Sequence, residues 1–239
     1  MVETKTKLEI TFPVGLRGTG GMVVILSGGV DSTTLLYDAI SLGYDVYPIT
    51  FYYGQKHDKE VQAALFILQN LGMGSRYKVL DISVLGQIAP SSLTRKEAGI
   101  PKGHYEDESM KQTVVPNRNM VFLAFATAYA IGIGADKVAY GAHGGDHAIY
   151  PDCRPVFVDA MSKAMKLCDY KEINLLTPYL HLSKTDIVRR GWELGVDYSL
   201  TWTCYEGKEL ACGRCGACTE RLEAFKENGL EDPIKYKGG

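Results

Sequence analysis

The chain has 239 residues, with 26 Lys and Arg against 28 Asp and Glu and 46% hydrophobic residues, which is the profile of a soluble globular protein and not of a disordered one. Its length suits one α/β domain, or one with a small appendage, and suffices for a sizeable core. A net charge of -2 argues against a domain held mainly by phosphate contacts along a nucleic acid, so small molecules are the expected partners.

Residues 1–21 form an N-terminal extension that mixes charged and apolar side chains (Lys7, Leu8, Glu9, Ile10) and offers no continuous apolar signal segment. Residues 22–26 are a short apolar run ending at Ser27-Gly28-Gly29, which predicts a buried parallel strand. From Ser32 the period changes: Leu35, Leu36, Ala39 and Ile40 share a helical face, and Gly43 supplies the stop. A second strand (45–53), a helix carrying Val61, Ala64, Leu65, Leu68 and Leu71, and a third strand (78–82) follow. This alternation predicts a doubly wound, mostly parallel α/β sheet with helices on both faces.

Residues 86–116 break the pattern with a mostly polar stretch including Ser91, Ser92, Arg95 and Lys96, the length of a mobile lid. Residues 120–133 predict a buried helix. The longest weakly polar stretch, 121–135, falls short of the roughly 20 residues of a membrane span, so no membrane partner is expected. A fourth strand (137–140) precedes a helix on which Phe157, Ala160, Met161, Ala164, Met165 and Cys168 form a core stripe, with Cys168 buried. A fifth strand (173–176) leads to Ser183-Lys184-Thr185-Asp186, a capped start for a helix through Trp192.

Four of the six cysteines, Cys204, Cys212, Cys215 and Cys218, are crowded together. Without a signal segment the expected compartment is the cytoplasm, where clustered thiols bind metal or do redox chemistry. The x7, x2, x2 spacing puts four thiolates within reach of one ion, and Gly213 and Gly216 permit the turns between them. A closed four-sulfur site suits structural Zn2+, worth ~10–16 kcal/mol of apparent binding free energy. An iron–sulfur cluster is the alternative, because C-x2-C-x2-C also begins a ferredoxin-type run.

In Ser27-Gly28-Gly29-Val30-Asp31-Ser32 the glycines let backbone approach a ligand, and the unpartnered N–H groups opening the next helix suit an anion. The helix dipole contributes only ~0.3–2 kcal/mol, so the hydroxyls of Ser27, Ser32 and Thr33 must add hydrogen bonds. Asp31 is out of place against an anion unless it holds Mg2+ together with phosphate oxygens.

The string S-G-G-x-D-S between an apolar strand and a helix resembles the PP-loop of the ATP pyrophosphatases. The Walker A pattern with its lysine is absent. Further motifs are Tyr53-Gly54-Gln55-Lys56-His57, Val115-Pro116-Asn117-Arg118-Asn119, Tyr150-Pro151-Asp152-Cys153-Arg154, Thr177-Pro178 with Ser183-Lys184-Thr185, and Cys212-Gly213-Arg214-Cys215. With these, the chain from Val23 to Tyr236 resembles the 7-cyano-7-deazaguanine synthase family. That resemblance implies a PP-loop domain over 22–200, a zinc-binding C-terminal segment over 201–239, and a homodimer. It implies an ATP-dependent C–N ligase that converts 7-carboxy-7-deazaguanine, ammonia and ATP to the nitrile used for queuosine or archaeosine, releasing AMP and pyrophosphate.

The resemblance also implies site residues. ATP falls to Leu26, Ser27, Gly28, Gly29, Val30, Asp31, Ser32, Thr33, Thr34, Leu35 and Leu36. Asp31, Lys184 and Arg118 are the expected catalytic groups. Lys56, His57, Asn117, Asn119, Asp146 and Asp152 are the expected substrate contacts, and Cys153 is an alternative covalent nucleophile. Lys56 departs from the arginine expected there, keeping charge but losing bidentate phosphate contact. The extension before Met22 lies outside the resemblance. The rival functions are a PP-loop tRNA thiolase with an iron–sulfur or redox cysteine cluster, and a non-catalytic zinc module. The first lacks an evident basic face, and the second leaves the loop, Arg118 and Lys184 motifs without a purpose.

Overall fold

A computed structural model describes residues 19–104 and 107–238. Most of the N-terminal extension and residues 105–106 of the long loop lie outside the described residues.

Five strands, β1 (Gly21–Ile25), β2 (Asp45–Tyr52), β3 (Lys78–Asp81), β4 (Lys137–Ala139) and β5 (Asn174–Leu176), form one parallel sheet in the order β3-β2-β1-β4-β5. Side chains alternate across a strand, so one apolar run feeds two cores. Met22 and Val24 enter one with Leu35, Leu36, Ala64 and Ile187; Val23 enters the other with Leu123, Ala126 and Val138. Both faces are covered, which explains why β1 reads as uninterrupted apolar residues.

The chain runs outward from β1 to β2 and β3, then returns to lay β4 and β5 on the opposite side. Strand order therefore reverses between β1 and β4, and in such sheets the ligand crevice opens at the carboxyl ends of the strands beside that reversal. The helices there are α1 (Val30–Ser41), α2 (Lys59–Asn70), α4 (Arg118–Ile133) and α6 (Lys184–Glu193), with a short α3 (Val84–Ile88) between β3 and α4. The predicted cap of α6 is present: Ser183 Oγ accepts from the Asp186 N–H at 3.1 Å, and Asp186 Oδ2 accepts from the Ser183 N–H at 3.1 Å.

Three expectations change. The stretch 86–116 is not without structure: α3 overlaps its start, a 3₁₀ turn spans Glu108–Thr113, and Ser91, Ser92, Leu93, Met110, Thr113 and Val115 are buried. Its buried polar groups bond locally, Ser91 Oγ accepting from the Leu93 N–H at 3.1 Å and Thr113 Oγ1 donating to the Met110 carbonyl at 2.7 Å. Helix α4 is buried on one side only, since Met120, Phe125 and Ile133 are exposed. The next helix, α5 (Pro155–Met165), buries Val158 and Met165 but exposes Ala160 and Ala164. It ends before Cys168, so the helical period does not carry that residue inward; Cys168 is exposed, donating to the Met165 carbonyl at 2.9 Å.

The last helix, α7 (Gly216–Glu227), has no counterpart among the predicted elements. It lies against α6, where Thr185 Oγ1 donates to Glu227 Oε2 at 2.6 Å and Asn228 Nδ2 donates to the Thr185 carbonyl at 2.8 Å. Ala224 and Phe225 enter the α1/α6 core. Arg221 is fully buried, forking onto Asp232 at 2.7 and 2.9 Å and bonding Thr201, Thr203 and the Tyr198 carbonyl. These guanidinium bonds tie α7 to Asp232 and to residues 198–203 that precede the cysteines. Among the described residues no helix is long and apolar enough to cross a membrane.

Candidate active site

The turn from β1 to α1 shapes the floor of a cleft at the strand reversal. Gly28 has φ +83°, and a Cβ there would lie 2.4 Å from the Glu60 carbonyl oxygen and 2.7 Å from the Ala64 nitrogen, so α2 approaches too closely for any side chain. Ser32 Oγ accepts from the Ser27 N–H at 3.1 Å and lies 3.0 Å from Ser27 Oγ, while Thr33 Oγ1 donates to the Gly29 carbonyl at 2.7 Å. Ser27, Gly29, Val30, Asp31 and Ser32 line the cleft. The other expected loop residues stand behind it: Leu35 and Leu36 are core, Thr34 Oγ1 bonds the Val30 carbonyl and the Tyr198 hydroxyl, and Leu26 lines a small side pocket.

Four elements bring charge together above this floor. Lys184 Nζ, at the start of α6, donates to Asp31 Oδ2 of α1 at 2.6 Å and lies 3.2 Å from Glu220 Oε2 of α7. His143, buried after β4, has Nε2 4.0 Å from Asp31, 3.6 Å from Asp146 and 3.9 Å from Glu220. Its Nδ1 accepts from the Gly145 N–H at 3.1 Å, which turns Nε2 toward the carboxylates.

Burial alone would raise the Asp31 pKa, but Lys184 and His143 overcome it and hold the carboxyl below its ordinary range. Burial would likewise lower Lys184, and Asp31 and Glu220 outweigh it, keeping the amine charged. For Glu220 burial prevails over Lys184 and His143, so its pKa is raised. Asp31 Oδ1 is buried with no hydrogen-bond partner among the described residues. An orphaned carboxylate oxygen beside a phosphate-type loop fits a hard divalent cation.

The opposite wall is aromatic. Arg118 opens α4, and its guanidinium sits 5.8 Å from the Tyr53 ring centre, 5.9 Å from Phe122 and 5.8 Å from Tyr150. Tyr140 and Tyr205 complete this wall, and Phe122 stacks on Phe51 at 4.5 Å. Glu60, from the first turn of α2, also lines the cleft; burial pushes its carboxyl up to about 7 against the opposing pull of Arg118.

The structure sorts the expected substrate contacts. Asn119 and Asp146 line the cleft. Asp152 does not: its Oδ2 accepts from the Asn119 N–H at 2.9 Å and so caps α4. Asn117 is exposed and supplies the left-handed N-cap, φ +62°, a conformation that asparagine tolerates. Lys56 turns to the Ala98 carbonyl, and the His57 ring packs on Gly207 beside the cysteine segment. Neither lines the cleft, because the loop after β2 folds toward 86–116 and the C-terminal segment. Cys153 does line it and accepts from Asn119 Nδ2 at 3.1 Å, but burial, with Asp146 and Asp152 adding to it, pushes its thiol up and away from the thiolate a nucleophile needs. Sequence reasoning missed Glu220, His143 and Glu60 and gave the wall tyrosines no role. Tyr53 and Tyr150 did stand at the head of two of the quoted motifs, and His143 lies in a Gly-rich His-Gly-Gly-Asp run.

The four C-terminal cysteines converge, their sulfurs all within 4.8 Å of one another. Tetrahedral zinc with 2.3 Å arms separates neighbouring sulfurs by about 3.8 Å, and Cys212 Sγ lies 3.9 Å from Cys218 Sγ. Backbone N–H groups of Cys212 and Cys215 point at Cys204 Sγ and Cys212 Sγ at 3.2 and 3.3 Å, arrangements that stabilise thiolate. The residues therefore fit a single four-sulfur ion. Cys215 caps α7 and Cys218 lies in its first turn.

The chain is similar to known proteins along most of its length. The family model described as queuosine biosynthesis protein QueC matches residues 21–229. The 7-cyano-7-deazaguanine synthase of Methanoregula boonei is 61% identical over 90% of this chain and 98% of its own length. Those of Caldicellulosiruptor saccharolyticus and a Marinomonas species are 58% and 52% identical over 90% of this chain, covering 95% and 97% of their lengths. Among solved structures, the U34-tRNA thiolase NcsA of Methanococcus maripaludis, described with its iron–sulfur cluster, superposes with a TM-score of 0.50 at 13% identity, over 89% of this chain and 67% of that one. That likeness concerns the fold alone. The chain belongs to the QueC family of queuosine biosynthesis proteins.

Proposed function

We propose that this protein is an ATP-dependent ligase that makes 7-cyano-7-deazaguanine from 7-carboxy-7-deazaguanine and ammonia, for queuosine or archaeosine synthesis. The observation that carries this reading is the meeting, in one cleft, of the Ser27–Ser32 loop, Lys184 and an Arg118 guanidinium boxed by aromatic rings. One side suits phosphates and the other a flat, anionic heterocycle.

A carboxylate is a poor electrophile. Attack of its oxygen on the α phosphorus of ATP expels pyrophosphate and leaves an acyl adenylate; ammonia then displaces AMP to give the amide, with loss of a proton. A second attack, by the amide oxygen on another ATP, supplies a leaving group for the oxygen that must go. Departure of AMP and a proton gives the nitrile. One loop serves both rounds.

Lys184 meets the charge that develops on departing pyrophosphate, and the loop hydroxyls and N–H groups hold its oxygens. Arg118 pairs with the substrate carboxylate, the tyrosines and Phe122 stack on the bicyclic ring, and Asp146 accepts from its amine edge. Asp31 would hold Mg2+, which when bound offsets phosphate charge. Cys204, Cys212, Cys215 and Cys218 would hold zinc, and the cytoplasm keeps such thiols reduced. Residues 201–239 serve as its segment, fastened onto a nucleotide domain at 22–200. A second copy covers the exposed apolar side chains of α4 and α5, Met120, Phe125 and Val156 among them, in a homodimer.

Two sequential activations predict that the amide, given ATP and magnesium without ammonium, is converted to nitrile with release of AMP and pyrophosphate. Mass spectrometry of the product checks this. Recovery of unchanged amide contradicts it.

A further inference from the structure

Lys184 is held from two sides. One of its three N–H donors goes to Asp31 at 2.6 Å, a second carboxylate, Glu220, stands at 3.2 Å as an ion pair, and the side chain lines the cleft. A lysine stem is four flexible carbons, so an ammonium aimed at a departing phosphate has to be tethered. Asp31 is an incomplete tether, because its neighbouring oxygen is the orphan that fits a divalent cation. Asp31 Oδ2 holds Lys184 from one side while Oδ1 is left for a cation, and Glu220 is the second protein anchor, holding the ammonium from the other side.

Glu220 is not required to dock α7. That helix is fixed by Cys215 at its cap, by Cys218, by the Thr185–Glu227 and Asn228–Thr185 bonds at its far end, and by the neighbouring Arg221–Asp232 pair. The side chain turns inward nevertheless, with only 15% of it exposed. Its fit is close: a Cβ on Gly145 would lie 2.7 Å from Glu220 Oε1, so the His143 loop carries glycine where the carboxylate enters. A buried carboxylate beside a phosphate site opposes phosphate binding, so its presence there needs a reason other than affinity for the nucleotide.

We propose that Glu220 is a positioning residue for Lys184, carried into the phosphate cleft by the cysteine-anchored helix α7. It sets the direction of the ammonium during pyrophosphate departure and touches no reacting atom itself. This rests on the adenylating reaction proposed above.

The test is ATP–pyrophosphate exchange driven by 7-carboxy-7-deazaguanine and magnesium without ammonium, measured on full-length, metal-loaded protein. Glu220→Ala is expected to lower the exchange rate at saturating ATP about 10- to 100-fold, the scale of a misaimed catalytic group. The ATP KM, the metal content and the thermal midpoint should stay near wild type. Glu220→Gln, which keeps the side-chain length and a polar oxygen at the position 3.2 Å from Lys184 Nζ, is expected to recover most of the rate. Wild-type exchange in Glu220→Ala overturns the proposal, and so does a Gln variant as slow as Ala, which would assign the effect to charge. If Glu220→Ala does not fold, Glu220→Asp replaces it: the shortened carboxylate should be slow, and full activity overturns the proposal. A wild-type protein that shows no exchange overturns the adenylation reading instead, which separates the two failures.

Discussion

Lys184→Ala is expected to lose roughly 10²–10³ in kcat, the scale for removing one charged group from a developing oxyanion, with a smaller change in the KM for the carboxylated base. Lys184 alone among the described lysines lines the cleft, and it reaches Asp31 at 2.6 Å. Steady-state kinetics with separate titration of ATP and base would show the split. The same variant should be more acid-sensitive. In wild type the Asp31 pKa lies below its ordinary value of 3.8; burial works against this, and Lys184, then His143, overcome it. A carboxyl depressed in the folded state contributes stability above its unfolded pKa, and that stability is lost as pH falls through the folded pKa. Removing Lys184 raises the folded value, so acid unfolding should begin at higher pH than in wild type. An unchanged kcat would remove Lys184 from the chemistry.

Stripping the four-cysteine site is expected to have the largest effect on stability. Structural zinc contributes ~10–16 kcal/mol of apparent binding free energy in small four-ligand sites, comparable with the usual total stability of a domain. A chelator under mild denaturation, or Cys212→Ser, should lower the thermal midpoint by more than about 10 °C. Activity should fall in parallel with metal content, because Trp202, Thr203, Tyr205, Ala217 and Glu220, all near the cysteines in sequence, line the cleft. The ordered bonds there tie distant pieces together: Ala211 pairs with Lys235 and Lys237, and Gly103 with Arg214. Elemental analysis of the untreated protein should find about one zinc per chain. Iron with a visible charge-transfer band would contradict the zinc assignment, and full activity after metal loss would contradict the coupling to the cleft.

The centre of the sheet was legible because β1 and most of β2 are buried on both faces and so appear as apolar runs before glycine-marked turns. The loop and the cysteines were legible because their chemistry depends on local spacing. Residues that act across the fold were not. Glu220 lies in a helix with a polar exterior, and nothing nearby in sequence announces that it meets Lys184, thirty-six residues earlier in the chain. Asp152 sits in a matching motif, yet the motif serves to cap α4. Lys56 and His57 follow the same lesson, since a polar loop residue has many partners within reach and sequence does not choose among them. Cys168 failed for a simpler reason: a helical stripe was extended past the residue at which the helix ends.

The most direct measurement is incubation of the purified, metal-loaded protein with 7-carboxy-7-deazaguanine, ammonium, magnesium and ATP, with the base products followed by mass spectrometry and the nucleotides by chromatography. The expected products are 7-cyano-7-deazaguanine, preceded by an amide that rises and falls, with AMP and pyrophosphate from the nucleotide. Unreacted acid, or an amide that accumulates without nitrile while ATP remains, would contradict the proposed reaction.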